Sequence, residues 1–364
     1  MGILTKERGT SSGNGLSTIS EMFSGMRALA LFGLLLGQPA CCHAYPDRPL
    51  TLVVPFPTSG SADISGSPPI TKLIKMMQSL STPSLTDVLA QDLAHTLSVG
   101  LGQPVNLKRR PSGKTIAGAR YAAQAAPDGY TLLFAGNPTI TIFPSLYQRL
   151  PFDPMRDLIP VANMARMPIA LIAAGDNPAK TVRDVIERAQ FMPGQINYAV
   201  VGDGTTAHLT GESFRAASGI EIVHVSYNGS LPAINAVITR NIEFGFVPLT
   251  AVLPYLKGGK VRIISIASAG RHPAVPEVPT IAESGLDGFE ASGWFGVFAP
   301  ARTSGATVSL LNYEINRALS EESLQRMLSG MGLLAAPGTP EEFRALTEND
   351  RERWAHLLKT LPVH

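Results

Sequence analysis

The 364-residue chain carries 30 Lys and Arg against 28 Asp and Glu, a formal charge of +2, with 45% hydrophobic and 16% charged residues. So even a balance excludes a surface built to read phosphate backbones, which shows as a basic excess, and the apolar fraction excludes a disordered chain. The length allows roughly two domains of about 150 residues each, while 34 Gly, 29 Pro and only two Cys exclude a coiled coil, a collagen-like rod and a disulfide-stapled miniature.

Near the start, Met26 and Arg27 precede an apolar run over residues 28–36. Gly37, Gln38 and Pro39 follow, then small residues ending in Cys42, His43 and Ala44. A basic start, an apolar stretch of about ten residues and small side chains at the −3 and −1 positions read as a secretory signal peptide spanning residues 1–44. The run falls short of the roughly 20 residues a membrane span needs. The polar leader before Met26 fits a signal poorly and leaves Met22 and Met26 open as the start. Both cysteines, Cys41 and Cys42, lie in this segment, without the Leu-x-Gly/Ala context of a lipid-attachment site. Cleavage after Ala44 leaves an exported chain with no thiol and 27 basic against 26 acidic residues.

From residue 50 on, short apolar runs alternate with helical patterns. Strands are predicted over 50–54 (LTLVV), 104–107, 130–135 (YTLLFA), 196–200, 222–225, 242–247 and 261–267. Helices are predicted over 86–101, opened by a Thr/Asp cap, and over 117–126, 181–190, 206–217 and 231–240. Such alternation predicts an α/β fold with mainly parallel sheets covered on both faces. Residues 162–174 and 292–300 read as extended crossings flanked by helical material. Three helical patterns, 307–319, 321–331 and 340–358, close the chain, with acidic first turns at Glu321–Glu322 and Glu341–Glu342.

Three strand-end turns carry the chemistry. PFPTSGSAD (55–63) puts Thr58, Ser59, Gly60 and Ser61 between a buried strand and a helix. There, backbone N–H groups and hydroxyls suit a carboxylate or phosphate. The turn over 201–206 has the same composition, with Gly202, Gly204, Thr205 and Thr206 opening a helix that bears His208. Asp203 is out of place in an anion cradle and is expected to face solvent. The turn over 136–144 offers Asn137 and Thr139. In open α/β sheets ligands gather at the C-terminal strand edge. Other motifs are rejected. Ser112-Gly113-Lys114-Thr115 resembles the end of a phosphate-binding P-loop, but Lys108 stands where that motif needs its first Gly. Neither HExxH nor G-x-S-x-G occurs. Asn228-Gly229-Ser230 reads as a turn. His95, His224, His272, His356 and His364 look too scattered in sequence for a metal site.

The stretches YPDRPLTLVVPF (45–56), LGQPV (101–105), RPSGKTIAGA (110–119), APDGYTLL (126–133), SLYQRLPFDPMRDLIPVA (145–162), GTTAHLTGESF (204–214), VHVSYNGSLPA (223–233) and VPTIAESG (278–285) occur in this order behind an export signal. Together they resemble the Bug-type extracytoplasmic solute receptors, the periplasmic binding components of tripartite tricarboxylate transporters. The resemblance implies an α/β, two-lobed periplasmic binding protein type II (Venus-flytrap) fold with a hinge of two crossing segments. Lobe 1 would comprise 45–165 with 295–364, and lobe 2 would comprise 166–294. It implies capture of a small organic carboxylate by Phe56, Thr58, Ser59, Gly60 and Ser61 of the first loop, by Gly202, Gly204, Thr205, Thr206 and His208 of the other lobe, and by Asn137 and Thr139. No catalytic residue, cofactor, metal or nucleic acid is implied. The partners would be membrane transporter subunits, served by a periplasmic monomer.

The chain departs from the pattern in two places. Thr58-Ser59-Gly60 replaces the Pro-Gly-Gly of the first loop, and Lys114-Thr115 replaces a later diglycine. A 24-residue insertion, 64–87, follows the first loop, so either Asp63 or Asp87 is the helix-capping Asp of the family. The alternative function is a periplasmic ligand sensor or a hydrolase on the same fold. His208 with Thr205 or Thr206 would then be the candidate base and nucleophile.

Overall fold

The run Leu50–Val54 forms β1, and every residue of it except Thr51 is buried, as a strand covered on both faces requires. The computed structural model describes residues 45–56, 85–111, 115–147 and 149–360. After β1 come α1 (Leu85–Leu101), β2 (Val105–Arg109), α2 (Ile116–Ala123) and β3 (Thr131–Gly136). A π-helical turn over Pro138–Ile142 runs into a single α-turn, Phe143–Leu146. Then β4 (Leu158–Met167) and β5 (Ile169–Ala174) follow with only Pro168 between them. Next are α3 (Val182–Phe191), β6 (Ile196–Val200), α4 (Thr206–Ser218), β7 (Ile222–Ser226), α5 (Ser230–Ile238), β8 (Phe244–Pro248), α6 (Leu249–Leu256) and β9 (Val261–Ile266). A long connection, 267–292, returns to β10 (Gly293–Pro300). The chain then runs through α7 (Gly305–Leu319), α8 (Glu322–Gly330), β11 (Leu334–Ala335) and α9 (Pro340–Thr360).

Local chemistry accounts for the helix ends. Thr181 and Asp184 form a reciprocal capping box at the start of α3. Ser304 caps α7 through the Thr307 amide. Gly219 ends α4 in the left-handed conformation that favours glycine.

The strands form two sheets, ordered β11-β4-β10-β3-β1-β2 and β7-β6-β8-β5-β9. β1 pairs in parallel with β2 and β3, and β6 in parallel with β7 and β8. The antiparallel strand in the middle of each sheet is the one laid down just after the chain crosses over. β5 runs against β8 and β9, and β10 runs against β3 and β4. The two crossings lie side by side. The Leu249 amide donates to Pro168 O (2.9 Å), the Ala267 amide to Ile169 O (2.8 Å) and the Ala291 amide to Ala267 O (2.9 Å).

α9 ties the two halves together. Phe343 packs edge-on against Trp294 (5.2 Å) and against Phe298 (5.1 Å) of the first sheet. A Cβ on Gly296 would stand 2.3 Å from the Phe343 ring, so that strand position has to be glycine. Three turns further along α9, Trp354 and Leu357 are buried in the core of the second sheet with Leu171, Phe214 and Phe246. Between them the buried Asp350 accepts from Thr141 Oγ1 (2.7 Å) and Trp294 Nε1 (3.2 Å).

Predicted and observed elements agree along most of the described chain, but the sheets are mixed rather than mainly parallel, because β4, β5, β10 and β11 pair antiparallel around the crossings. α6 is absent from the sequence reading because LTAVLPYL has no polar face and contains Pro254. Residues 57–84 lie outside the described residues, and with them the first loop beyond Phe56, Asp63 and positions 64–84 of the predicted insertion. The last three positions of the insertion, Leu85–Asp87, form the first described turn of α1, where Asp87 pairs with Arg109 of β2. No helix among the described residues is long and apolar enough to cross a membrane.

His272, in the return connection, is fully buried. Its Nδ1 accepts the Ala274 amide (3.1 Å), which leaves Nε2–H to donate to Leu333 O (3.2 Å). Burial holds this imidazole below its ordinary value of 6.5. On acidification the unfolded chain therefore takes up this proton first, so stability falls as the pH drops below about 6.5 towards the folded value. Urea unfolding at pH 7.5 and 5.5 is expected to show a smaller acid loss in His272→Asn than in the parent chain. Equal losses would exclude His272 as a contributor.

Candidate functional site

The sequence placed ligand chemistry on three turns, and the structure brings two of them into direct contact. After β6, Gly202 (φ +82°) and Gly204 (φ +69°) adopt left-handed conformations that bend the chain back into α4. Thr205 caps that helix: its Oγ1 accepts the His208 amide (3.3 Å) and donates to Gly202 O (2.8 Å). The next hydroxyl, Thr206 Oγ1, leaves its own sheet and donates to Asn137 Oδ1 (3.0 Å), at the end of β3 in the other sheet. Both residues are buried. The approach is close enough that a Cβ on Gly204 would stand 2.5 Å from the Leu146 side chain, which belongs to the turn after β3.

With its oxygen committed to Thr206, Asn137 keeps its amide nitrogen buried and without an acceptor among the described residues. A buried donor left in that state costs about 1–3 kcal/mol. Thr139, two residues on, is buried with its Oγ1 against Thr115 Oγ1. Phe56 ends the described part of the first loop and packs edge-on against Phe134 (5.6 Å) and Phe295 (5.9 Å). Thr58, Ser59, Gly60 and Ser61 lie outside the described residues. Thr206 is the first residue of α4, so the bond it makes sets Asn137 beside the positive end of that helix dipole.

The ring of His208 is engaged by the turn before its helix. Its Nδ1 accepts the Gly204 amide (3.1 Å), and no hydrogen bond joins its ring to the hydroxyl of Thr205 or Thr206. The base–nucleophile pair of the hydrolase alternative is not assembled. Burial, and His224 beside it, hold His208 below the ordinary imidazole range.

His208 does have company that its sequence spacing hid. Its ring centroid lies 4.2 Å from that of His224 on β7. His224 Nδ1 stands 3.5 Å from Glu212 Oε1, and His224 Nε2 stands 3.5 Å from Asp203 Oδ1. Glu212 also accepts from Tyr198 O–H (2.6 Å) and Arg215 Nε (2.9 Å). Burial alone would raise this carboxyl, yet the bonds from His224, Tyr198 and Arg215 hold it down at about 2. Glu212 correspondingly raises His224, and burial beside Glu212 pushes the Tyr198 hydroxyl up. Asp203 is exposed, as its place in the turn led one to expect. His208 and Glu212 are four residues apart on one helix face, a spacing visible in the sequence. The contribution of β7 was not visible there.

Cavities of ≈ 160 and ≈ 230 Å³ flank α9 and are lined by other residues, including Arg344 and Arg351 in one and Arg166, Asp350 and Arg353 in the other. Thr206→Val keeps the side-chain shape and leaves Asn137 Oδ1 buried without a donor. Its expected cost is about 1–3 kcal/mol in urea unfolding. A change under about 0.5 kcal/mol would show that the contact between the sheets carries no stability.

The family model described as tripartite tricarboxylate transporter family receptor matches residues 89–363. The chain is 30% identical to Protein BugT of Bordetella pertussis over 339 residues, covering 92% of this chain and 97% of that protein. Two solved structures are similar throughout. R. palustris Rpa4515 with adipate has a TM-score of 0.68 and 30% identity, covering 87% of this chain and 98% of that one. MatC (Rpa3494) from Rhodopseudomonas palustris with bound malate has a TM-score of 0.66 and 27% identity, covering 86% and 100%.

Proposed function

Because the chain belongs to the tripartite tricarboxylate transporter receptor family, whose members are periplasmic binding receptors rather than enzymes, we propose that it captures a small organic carboxylate between its two sheets. The guest is then handed to membrane transporter subunits without being altered. In this reading residues 1–44 are the export signal, cut near Ala44, and the exported chain works as a monomer. Lobe 1 is 45–165 with 295–364, and lobe 2 is 166–294. The chain swings about the two adjacent crossings, at Pro168 and at 291–293.

The observation that carries this reading is Asn137. Its carboxamide oxygen is held by a hydroxyl from the opposite sheet while its amide donor is buried without an acceptor. A carboxylate oxygen is the natural acceptor for such a group. The dipole of α4 and its first-turn amides add further stabilisation for a negative charge at the same place. Phe56, Thr58, Ser59, Gly60 and Ser61 close the guest from the first loop. Gly202, Gly204, Thr205, Thr206 and His208 shape the opposite wall, and Thr139 supports Asn137. Two of the similar structures carry adipate and malate, which supports a short dicarboxylate as the guest class.

Closure is a redistribution between open and closed forms, driven by contacts that only the closed form makes. A panel of short mono- and dicarboxylates is expected to contain at least one that raises unfolding stability saturably, by about 2.7 kcal/mol at a hundredfold excess over Kd. Trp294, buried at the start of β10, should change its fluorescence in parallel. Asn137→Ala should weaken that carboxylate about tenfold or more, as loss of a hydrogen bond to a charged group does. A panel that moves neither stability nor fluorescence in the parent chain would refute capture of this guest class.

A further inference from the structure

The cluster beside the Gly202–Thr205 turn shares only His208 with the carboxylate reading, which leaves Glu212 and His224 without a role. We propose that His208, Glu212 and His224 form a site for one divalent first-row transition metal ion, held by a His208 ring nitrogen, Glu212 Oε1 and His224 Nδ1 with one coordination position open. His208 and Gly204 also stand in the wall proposed for the carboxylate, so metal binding is tested with no carboxylate present.

Geometry carries it. The three ligand atoms all lie within 4.8 Å of one another, the one such group among the described residues. Tetrahedral bonds of about 2.0–2.2 Å place neighbouring donors roughly 3.4 Å apart. The Glu212 Oε1 to His224 Nδ1 separation is already 3.5 Å. His208 and Glu212 project from one face of α4, one turn apart, and His224 projects from the adjacent strand β7. All three stand on regular elements, which hold ligands more precisely than loops do. Two imidazoles and a carboxylate suit Zn2+ and its neighbours in the first row, and disfavour Ca2+ and Mg2+, which take oxygen ligands.

The surrounding groups have the pattern that orients metal ligands. A ligating imidazole normally gives its other N–H to a carboxylate, and His224 Nε2 faces Asp203 Oδ1. The ligating carboxylate is itself hydrogen-bonded, by Tyr198 O–H on Oε1 and by Arg215 Nε on Oε2. Arg215 can keep Oε2 while Oε1 meets the ion. The imidazole of His224 is about a third exposed, which gives the ion a way in.

Binding also has a definite local cost. In the free chain His208 Nδ1 accepts the Gly204 amide, so Nε2 carries the proton. A metal at Nδ1 displaces the Gly204 amide. A metal at Nε2 moves the proton to Nδ1, where it opposes that same N–H. Either way Gly204 N–H loses its acceptor, and the Gly204 amide becomes a reporter of occupancy.

The test uses the chain from residue 45, free of any histidine tag and stripped with a chelator, titrated with Zn2+ by calorimetry. The expected result is saturable binding of one ion per chain, at least tenfold weaker in His224→Gln and in Glu212→Gln and unchanged in His95→Gln and His356→Gln. Two readouts on the parent chain do not depend on whether the variants fold. Co2+ should give the visible absorption of a tetrahedral or five-coordinate ion, and Zn2+ should shift the Gly204 amide resonance. Absence of saturable Zn2+ binding to the parent chain would overturn the proposal. So would binding that is undiminished in folded His224→Gln and Glu212→Gln, or a Gly204 resonance unmoved at saturation.

Discussion

Thr206 and Asn137 come from different sheets, yet a single buried hydrogen bond of 3.0 Å joins them, and the geometry of the site follows from that contact. The bond fixes how close the turn after β3 comes to the turn after β6. The turn that reaches it needs glycine at 204, whose φ of +69° is left-handed. The bond also decides the orientation of the Asn137 carboxamide, with its oxygen spent on Thr206 and its nitrogen left as a buried donor.

The rest of the fold supports this contact from behind. The chain passes between the sheets twice, and hydrogen bonds at Pro168, Ile169 and Ala267 lay the two passages side by side. α9 then spans both cores, with Phe343 in one and Trp354 in the other. Asp350 between them is bonded to Thr141, four residues beyond Asn137, and to Trp294 at the head of β10. The packing of α9 across both cores resists sliding of one sheet against the other, which favours the crossings as the pivot of the proposed closure. Asn137 is linked to Trp294 through Thr141 and Asp350 by three hydrogen bonds.

Most of the fold was legible because buried strands such as LTLVV and YTLLFA, and helical patterns such as 181–190, announce themselves over a few residues. The two extended crossings could also be read, since each is an apolar run without helical spacing. α6 escaped because an apolar octapeptide containing Pro254 has neither period. At the site, Gly202, Gly204 and Thr205 were legible as a glycine-bearing turn that opens a helix. Asn137 and Thr206 were each named as candidates, but their pairing is a contact between sheets that no local pattern encodes. His224 was set aside for the same reason. Sixteen residues separate it from His208 along the chain, and only the parallel pairing of β6 with β7 brings it beside α4.

The most direct test of capture at these turns is a crystal structure of the chain from residue 45, grown with the short carboxylate that stabilises it most. The guest should lie between the sheets, with one carboxylate oxygen within hydrogen-bonding distance of Asn137 Nδ2 and of the first amides of α4. A guest seated instead in the cavity beside α9, or an Asn137 amide still without an acceptor in the liganded protein, would contradict it.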